Sequence, residues 1–397
     1  MPEVAASRRA LAGFFLSGLL LSFVGAILPA WGYHLRPNFL AIGSYFLAVV
    51  IGVLVAASIA RRVIGRLGLA DALGLGCFIA FAALVGLSFA PPPVSEIWRV
   101  PGLLTLGLGA GLVNTAIILA LSPAFEINSA ATINVAGIFF GLGSIFSPLL
   151  IAGTFNLYSV SFSFYAVALV PAAFAFFYAR LKFPSAVWMD TRPAMQPPQE
   201  FATPAAVLLS ALLFFHFGNE WSIAGWLPLL LILRLGLNPV TALILLALYW
   251  LAIMLGRIGA QAILPRMSHP KLLLASIIAA LFGCLTLAFT NNLFGATLGT
   301  LLIGFGFAPV YPLVIEAIRN RFPHYRPGLF NGIFSIGLTG GMLAPAILGY
   351  FAYTLGLSAV MLLPAIGSLI VLILVLAIWL EAWFTQWHSS KPERNRL

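Results

Sequence analysis

Charge is what this chain lacks. Of its 397 residues only 8% are Asp, Glu, Lys or Arg, and just ten are acidic. An ordinary soluble domain carries roughly 25% charged residues. With so few, the chain cannot cover a surface that faces water, which excludes water as its main solvent. Cysteine is nearly missing as well. Cys77 and Cys284 both fall in apolar runs and read as small buried hydrophobes rather than as a disulfide. There is no Cys/His metal spacing and no phosphate loop of the form G-x-x-x-x-G-K-Ser/Thr, so an enzyme site, a resident cofactor and a nucleotide-driven step are not expected. Any energy would have to come from a proton or sodium gradient, or from a solute's own gradient. No N-x-Ser/Thr sequon occurs either, which fits a bacterial inner membrane.

Hydrophobic residues take the place of charge, at 62%. Apolar runs of about 20 residues, each long enough as a helix to cross a hydrocarbon core of roughly 30 Å, recur along the whole chain. They predict spans at about 10–30, 39–59, 71–90, 101–122, 131–152, 160–181, 205–232, 239–262, 271–290, 294–317, 328–351 and 357–383. The expected fold is therefore an all-α integral membrane protein of twelve transmembrane helices. The start, "SRRALAGFFLSGLLLSFVG", is similar to a secretion signal, but no small-residue cleavage site follows and it reads as a retained first helix. The longest polar interruption, "KFPSAVWMDTRPAMQPPQEFATP", is rich in proline and charge and reads as a linker. It divides the chain into residues 1–181, a linker at 182–204, and residues 205–397, the last ending in a short basic tail.

The net charge of +10 invites a nucleic-acid reading, but the basic residues lie almost wholly in short loops, where they set topology. With the N-terminus inside, seventeen of the twenty Lys and Arg fall on the inner side. Only Arg36, Arg99 and Arg234 fall outside. Both termini and the linker are accordingly expected in the cytoplasm, the partners being a lipid bilayer and a small solute, with no nucleic acid and the chain acting as a monomer.

The two halves repeat. "TLGLGAGLVN" (105–114) and "LIGFGFAPVY" (302–311) share an offset of 197 positions with "NVAGIFFGLGSIFSP" (134–148) and "NGIFSIGLTGGMLAP" (331–345). With no gap, Gly107 meets Gly304, Gly109 meets Gly306, Gly143 meets Gly340 and Pro148 meets Pro345. A single offset through two helices and their loop predicts two pseudo-symmetric six-helix bundles, an arrangement that places a binding site near mid-depth between them.

Among the acids, Glu220 alone is predicted deep inside a span, in "FFHFGNEWSIAGWLP" (214–228). A charge at the bilayer centre costs about 2.5–3.5 kcal/mol on insertion scales, so such a residue normally faces a cavity and has a function. At 100° per residue His216, Asn219, Glu220, Ser222 and Trp226 share one arc of the helix, with Trp221 and Phe217 opposite. A carboxylate, an amide and an indole suit a hydroxyl-rich ligand; the competing reading is that these groups only bond neighbouring helices. Asn114, Asn134 and Asn331 are further candidates, the last two equally readable as helix-start residues, and Trp250 and Tyr311 are candidate aromatic walls. Arg257 in "GRIGAQAILPR" (256–266) reads as a cytoplasmic gate or loop brace. Glu316 is expected to pair there with Arg319 or Arg321.

These motifs resemble the major facilitator superfamily, and within it the fucose/glucose–galactose:proton symporter group. The likeness is clearest in "GNEWSIAGWLP" (218–228), "GLGAGLVNT" (107–115) and "NVAGIFFGLGSIFSPLL" (134–150), and covers the twelve spans. It implies sugar transport by alternating access, with Asn114, Asn134, Asn219 and Glu220 as sugar-contacting positions. Two features depart from the group. Segment 1 has no acidic residue between Ala10 and Ala30, and no histidine follows Asn134 in the segment-5 motif. Glu220 is therefore the proton-accepting candidate, with facilitation as the alternative. An exporter of amphipathic drugs or lipids would use the same fold. A sugar sensor would need more than the short tail after Glu381.

Overall fold

The computed structural model describes residues 9–121, 129–156, 159–181, 203–321 and 327–389, so residues 182–202 of the expected linker lie outside it. Within the described residues every element is helical: α1 Gly13–Ile27, α2 Phe39–Leu67, α3 Leu69–Ser88, a 3₁₀ turn at Glu96–Trp98, α4 Arg99–Ala120, α5 Ser129–Phe155, α6 Val160–Ala179, α7 Pro204–Leu235, α8 Pro239–Ile263, α9 His269–Phe289, α10 Leu293–Phe307, α11 Val310–Arg321, α12 Pro327–Leu355 and α13 Ala359–Ser389. Eleven helical stretches are long and apolar enough to cross a membrane, and the shorter apolar α1 makes the twelfth. The expected tenth span is broken. α10 and α11 meet at Ala308–Pro309, where proline has no N–H to continue the ladder.

Local chemistry sets several helix starts and stops. Asn38, Thr203, Asn238 and Asn292 each accept a backbone N–H one turn into the helix that follows. Pro204 and Pro239 occupy first-turn positions, where their missing N–H costs nothing. α7 ends at Gly236, held at φ 64°, a left-handed conformation that glycine adopts without strain. α2 runs two turns past the expected boundary at 59, carrying the exposed Arg61, Arg62 and Arg66 beyond the apolar stretch.

The repeat is visible in the packing. In the first half α1 packs on α5, α2 on α4, α3 on α4 and α3 on α6. In the second, α7 packs on α12, α8 on α10, α9 on α10 and α9 on α13. The glycines at the 197-residue offset make equivalent close approaches. A methyl at Gly109 would lie 2.6 Å from the Ala80 nitrogen of α3, and one at Gly306 would lie 2.5 Å from the Ala280 nitrogen of α9. At Gly143 and Gly340 it would lie 1.8 Å from the Phe15 carbonyl oxygen of α1 and 2.1 Å from the Phe214 carbonyl oxygen of α7. Between lipid-facing helices there is no hydrophobic drive to associate, so contact of this kind supplies the dispersion energy that holds them.

Among the described residues the main contacts between the halves are α5 with α8, α2 with α12, and α1 with α7. At one end of this seam the fit is close. A methyl at Gly349 would lie 2.6 Å from the Gly43 Cα, and one at Gly25 would lie 2.5 Å from the Ala224 carbonyl oxygen. The other end is looser. Ser335, Thr339, Met342, Ala346 and Gly349 follow a four-three spacing that places them on one face of α12. Gly349 touches α2, whereas Ser335 and Thr339 on the same face are exposed. α2 shows the same gradient, from buried Gly43, Phe46 and Val50 to exposed Ala57. α2 and α12 therefore close at the Gly43/Gly349 end and part towards the end that carries Arg61, Arg62 and Arg66.

Candidate functional site

Of the eleven long spans α7 is the least apolar and has the most buried apolar window, so its polar residues face protein rather than lipid. Glu220 lies at its middle with a side chain only 3% exposed. Its Oε1 is 3.6 Å from Nη2 of Arg257 on α8, and its Oε2 is 3.5 Å from Nε2 of His216, one turn back on α7. Tyr249 on α8 donates its hydroxyl to the Glu220 backbone carbonyl at 2.9 Å, fixing α7 against α8. Arg257, read from the sequence as a cytoplasmic gate or loop brace, makes its contact inward. Its long side chain reaches back from the end of the span and pairs with the buried acid, which lowers the cost of burying either charge.

Arg257 also faces the other half. A methyl at Gly137 of α5 would come 3.4 Å from its Nη1, so the guanidinium lies at the seam itself. Between the same helices Phe140 of α5, Trp221 of α7 and Trp250 of α8 form a triangle, with ring centroids 5.6–6.1 Å apart. Met254 of α8 lies opposite Gly141 of α5, where a methyl would approach its Cβ to 3.1 Å. Several polar atoms of this cluster are buried and have no hydrogen-bond partner among the described residues: Glu220 Oε2, His216 Nε2, Arg257 Nε and the Trp250 indole N–H. Buried polar groups are nearly always satisfied, and a concentration of unsatisfied ones marks a site where a ligand or water belongs.

The remaining sequence candidates are dispersed. Asn219 turns away from the seam, because its neighbour Glu220 is 100° further round the helix. Its amide lies flush against Gly367 of α13, where a methyl would come 2.1 Å from Oδ1. With His216, Phe307 and Ser368 it borders a cavity of about 10 Å³ inside the second half, room for one water and not for a sugar. Trp226, expected as a ligand-stacking wall, is fully buried at the closed end of the seam. Its indole donates to the Pro345 carbonyl at 3.0 Å and packs on Phe39 and Phe46. Tyr311 packs with Phe217 and Phe334 in the second half. Asn114 is half-buried on α4, and no contact among the described residues joins it to Glu220. The side chains of Asn134 and Asn331 lie outside the described residues. Glu316 pairs with His269 at 2.7 Å and Arg321 pairs with Glu381, while the side chain of Arg319 lies outside the described residues.

Sequence reasoning missed the Trp221–Phe140 contact and the partnership of Arg257. A signal for the second was available. Glu220 is the single deep acid, and a lone basic residue in the next apolar run is its natural counter-charge. Arg99, counted as an outer-loop charge, is 2% exposed; it donates to the carbonyls of Ala90 and Val94 and to the Tyr33 hydroxyl, bracing the closed end of the first half. Burial beside this cluster pushes the Tyr33 hydroxyl well above the usual tyrosine range.

The Major Facilitator Superfamily model matches residues 116–341, more than half of the chain. The chain is 24% identical over 261 residues to the glucose/mannose transporter of Bacillus subtilis, 62% of this chain and 63% of that protein. It is 28% identical over 173 residues to the sialic acid transporter of Escherichia coli K12, 42% of each. The chain thus covers less than two thirds of the length of these curated relatives. Among solved structures, a variant of the nucleoside transporter NupG superposes with a TM-score of 0.72 at 14% identity, covering 93% of this chain and 99% of that one. The D-xylose–proton symporter gives 0.71 at 14% identity, covering 94% and 96%. The E. coli fucose:proton symporter gives 0.61 at 18% identity, covering 95% and 99%. At such identities these three speak for the fold.

Proposed function

The chain belongs to the Major Facilitator Superfamily, and from that premise we propose that it carries a hexose-type sugar across the bacterial inner membrane by alternating access. It is an integral membrane transporter and not an enzyme. The observation that carries the sugar reading is the cluster at the seam. Glu220, His216 and Arg257 are only loosely paired and keep atoms without a hydrogen bond, and the same seam carries Trp221 and Trp250, which suits a ligand with hydroxyls around its edge and C–H groups on its face. The likeness to a glucose/mannose transporter and a sialic acid transporter points the same way.

The positive-inside count supports a cytoplasmic position for the basic end, where α2 and α12 part, as in a carrier opening inward. Ligand space between the halves enlarges as they rock about this seam. Glu220 is the group on which a proton would ride. Counterflow of labelled hexoses in proteoliposomes, with and without a pH gradient, tests the reading. Exchange of at least one hexose, reduced tenfold or more in Glu220→Gln, is the expected result. If no hexose moves, the sugar reading fails.

A further inference from the structure

Resting on that carrier reading, we propose that the preferred solute is a sugar acid, whose carboxylate takes the Arg257 guanidinium that Glu220 engages in the empty seam. Four observations converge on it. The Arg257–Glu220 contact is loose, at 3.6 Å against the 2.7–2.9 Å of a close charge-assisted hydrogen bond. Arg257 keeps a buried Nε with no partner among the described residues, so its planar fork is underused where bidentate carboxylate recognition is its strength. Its side chain is 17% exposed while that of Glu220 is 3% exposed, so a ligand entering the seam meets the cation first. Gly137 leaves the facing surface of α5 without a side chain, and the Trp250 indole N–H, two turns back on α8, is a second buried donor with no partner among the described residues.

The exchange is a displacement without covalent change. Ligand carboxylate oxygens replace Glu220 Oε1 at the guanidinium, and Glu220 keeps His216, 3.5 Å from its other oxygen. A neutral sugar can offer only hydroxyls to Arg257 and must compete with a full carboxylate already there. An acid competes on equal chemical terms and also satisfies Nε. The seam therefore discriminates by charge, and its aromatic triangle accepts the ring of either sugar.

The test uses the full-length chain in proteoliposomes, with D-glucose and D-glucuronate as probes in counterflow. Glucuronate is expected to half-saturate exchange at a concentration at least tenfold below that of glucose. Arg257→Lys retains the charge and loses the fork, and is expected to remove that preference while Glu220 keeps a cationic partner. Thermal stabilisation of the unaltered protein in detergent supplies a readout that needs no variant, with glucuronate acting at concentrations at least tenfold lower than glucose. If glucose moves and glucuronate does not, or the two are handled alike, the sugar-acid inference is overturned and the carrier reading stands. If Arg257→Lys keeps the full preference, Arg257 is not its source and the inference is overturned. If neither sugar moves or stabilises, the sugar-acid inference is overturned, and the carrier reading falls with it only when the other labelled hexoses also fail to exchange.

Discussion

At the scale of single residues, the proposed function concentrates in one buried acid and the cation that accompanies it. Removing Arg257 alone leaves Glu220 an uncompensated charge at mid-membrane, a change worth about 3–5 kcal/mol for a broken buried pair. Arg257→Gln should therefore melt at a clearly lower temperature in detergent. The double variant Glu220→Gln with Arg257→Gln should recover most of that loss, because no charge remains to be buried. A double variant as unstable as the single one would mean that the pair is not coupled in the folded protein. The carboxylate at 220 was legible in the sequence because it is the one acid far from any loop. The contact of Asn219 with α13 was not legible, since a helical wheel gives angles but not which surrounding helix lies at each angle. The setting of Trp226 was not legible for a different reason. It shares the arc of Glu220 but lies six residues further along, at the depth where α7 is clamped between Pro345, Phe39 and Phe46.

At the scale of helices, glycine decides how closely the spans approach. The paired positions Gly143 and Gly340 each press on the backbone of the helix opening their half, so a methyl meets a carbonyl that cannot rotate away. Gly143→Ala and Gly340→Ala are each expected to abolish a monodisperse peak in size-exclusion chromatography. Gly86→Ala and Gly153→Ala, where the new methyl enters open space, should behave as the native chain. Equal behaviour of all four variants would refute the packing described for α1 with α5 and α7 with α12. This level was the most legible in the sequence, because apolar runs set the spans and the 197-residue offset exposed the repeat. The break between α10 and α11 was not read, although Pro309 was visible; five other prolines lie inside continuous helices, at 148, 171, 228, 345 and 364. Proline alone therefore does not say where a membrane helix stops, since neighbouring helices can satisfy the freed groups.

At the scale of the whole molecule, the splay between α2 and α12 is a prediction about access. Cys77 and Cys284 are both fully buried, so the native chain is a low-background host for thiol labelling. Ser335→Cys and Ala57→Cys should react with a membrane-impermeant maleimide in inside-out vesicles and not in right-side-out ones. The reverse pattern would overturn the assignment of the basic end to the cytoplasm. Gly349→Ala places a methyl 2.6 Å from the Gly43 Cα at the closed end. It should shift the population toward the opposite opening and lower the labelling of Ser335→Cys severalfold. The crossing at Gly43 and Gly349 has a further consequence. Bare backbone meets bare backbone there, with no interlocked rotamers to disengage, so it works as a bearing rather than a latch. Under the proposed alternating access its smoothness would set how often the halves change over, leaving the tightness of the proposed grip on cargo to the charged pair deeper in.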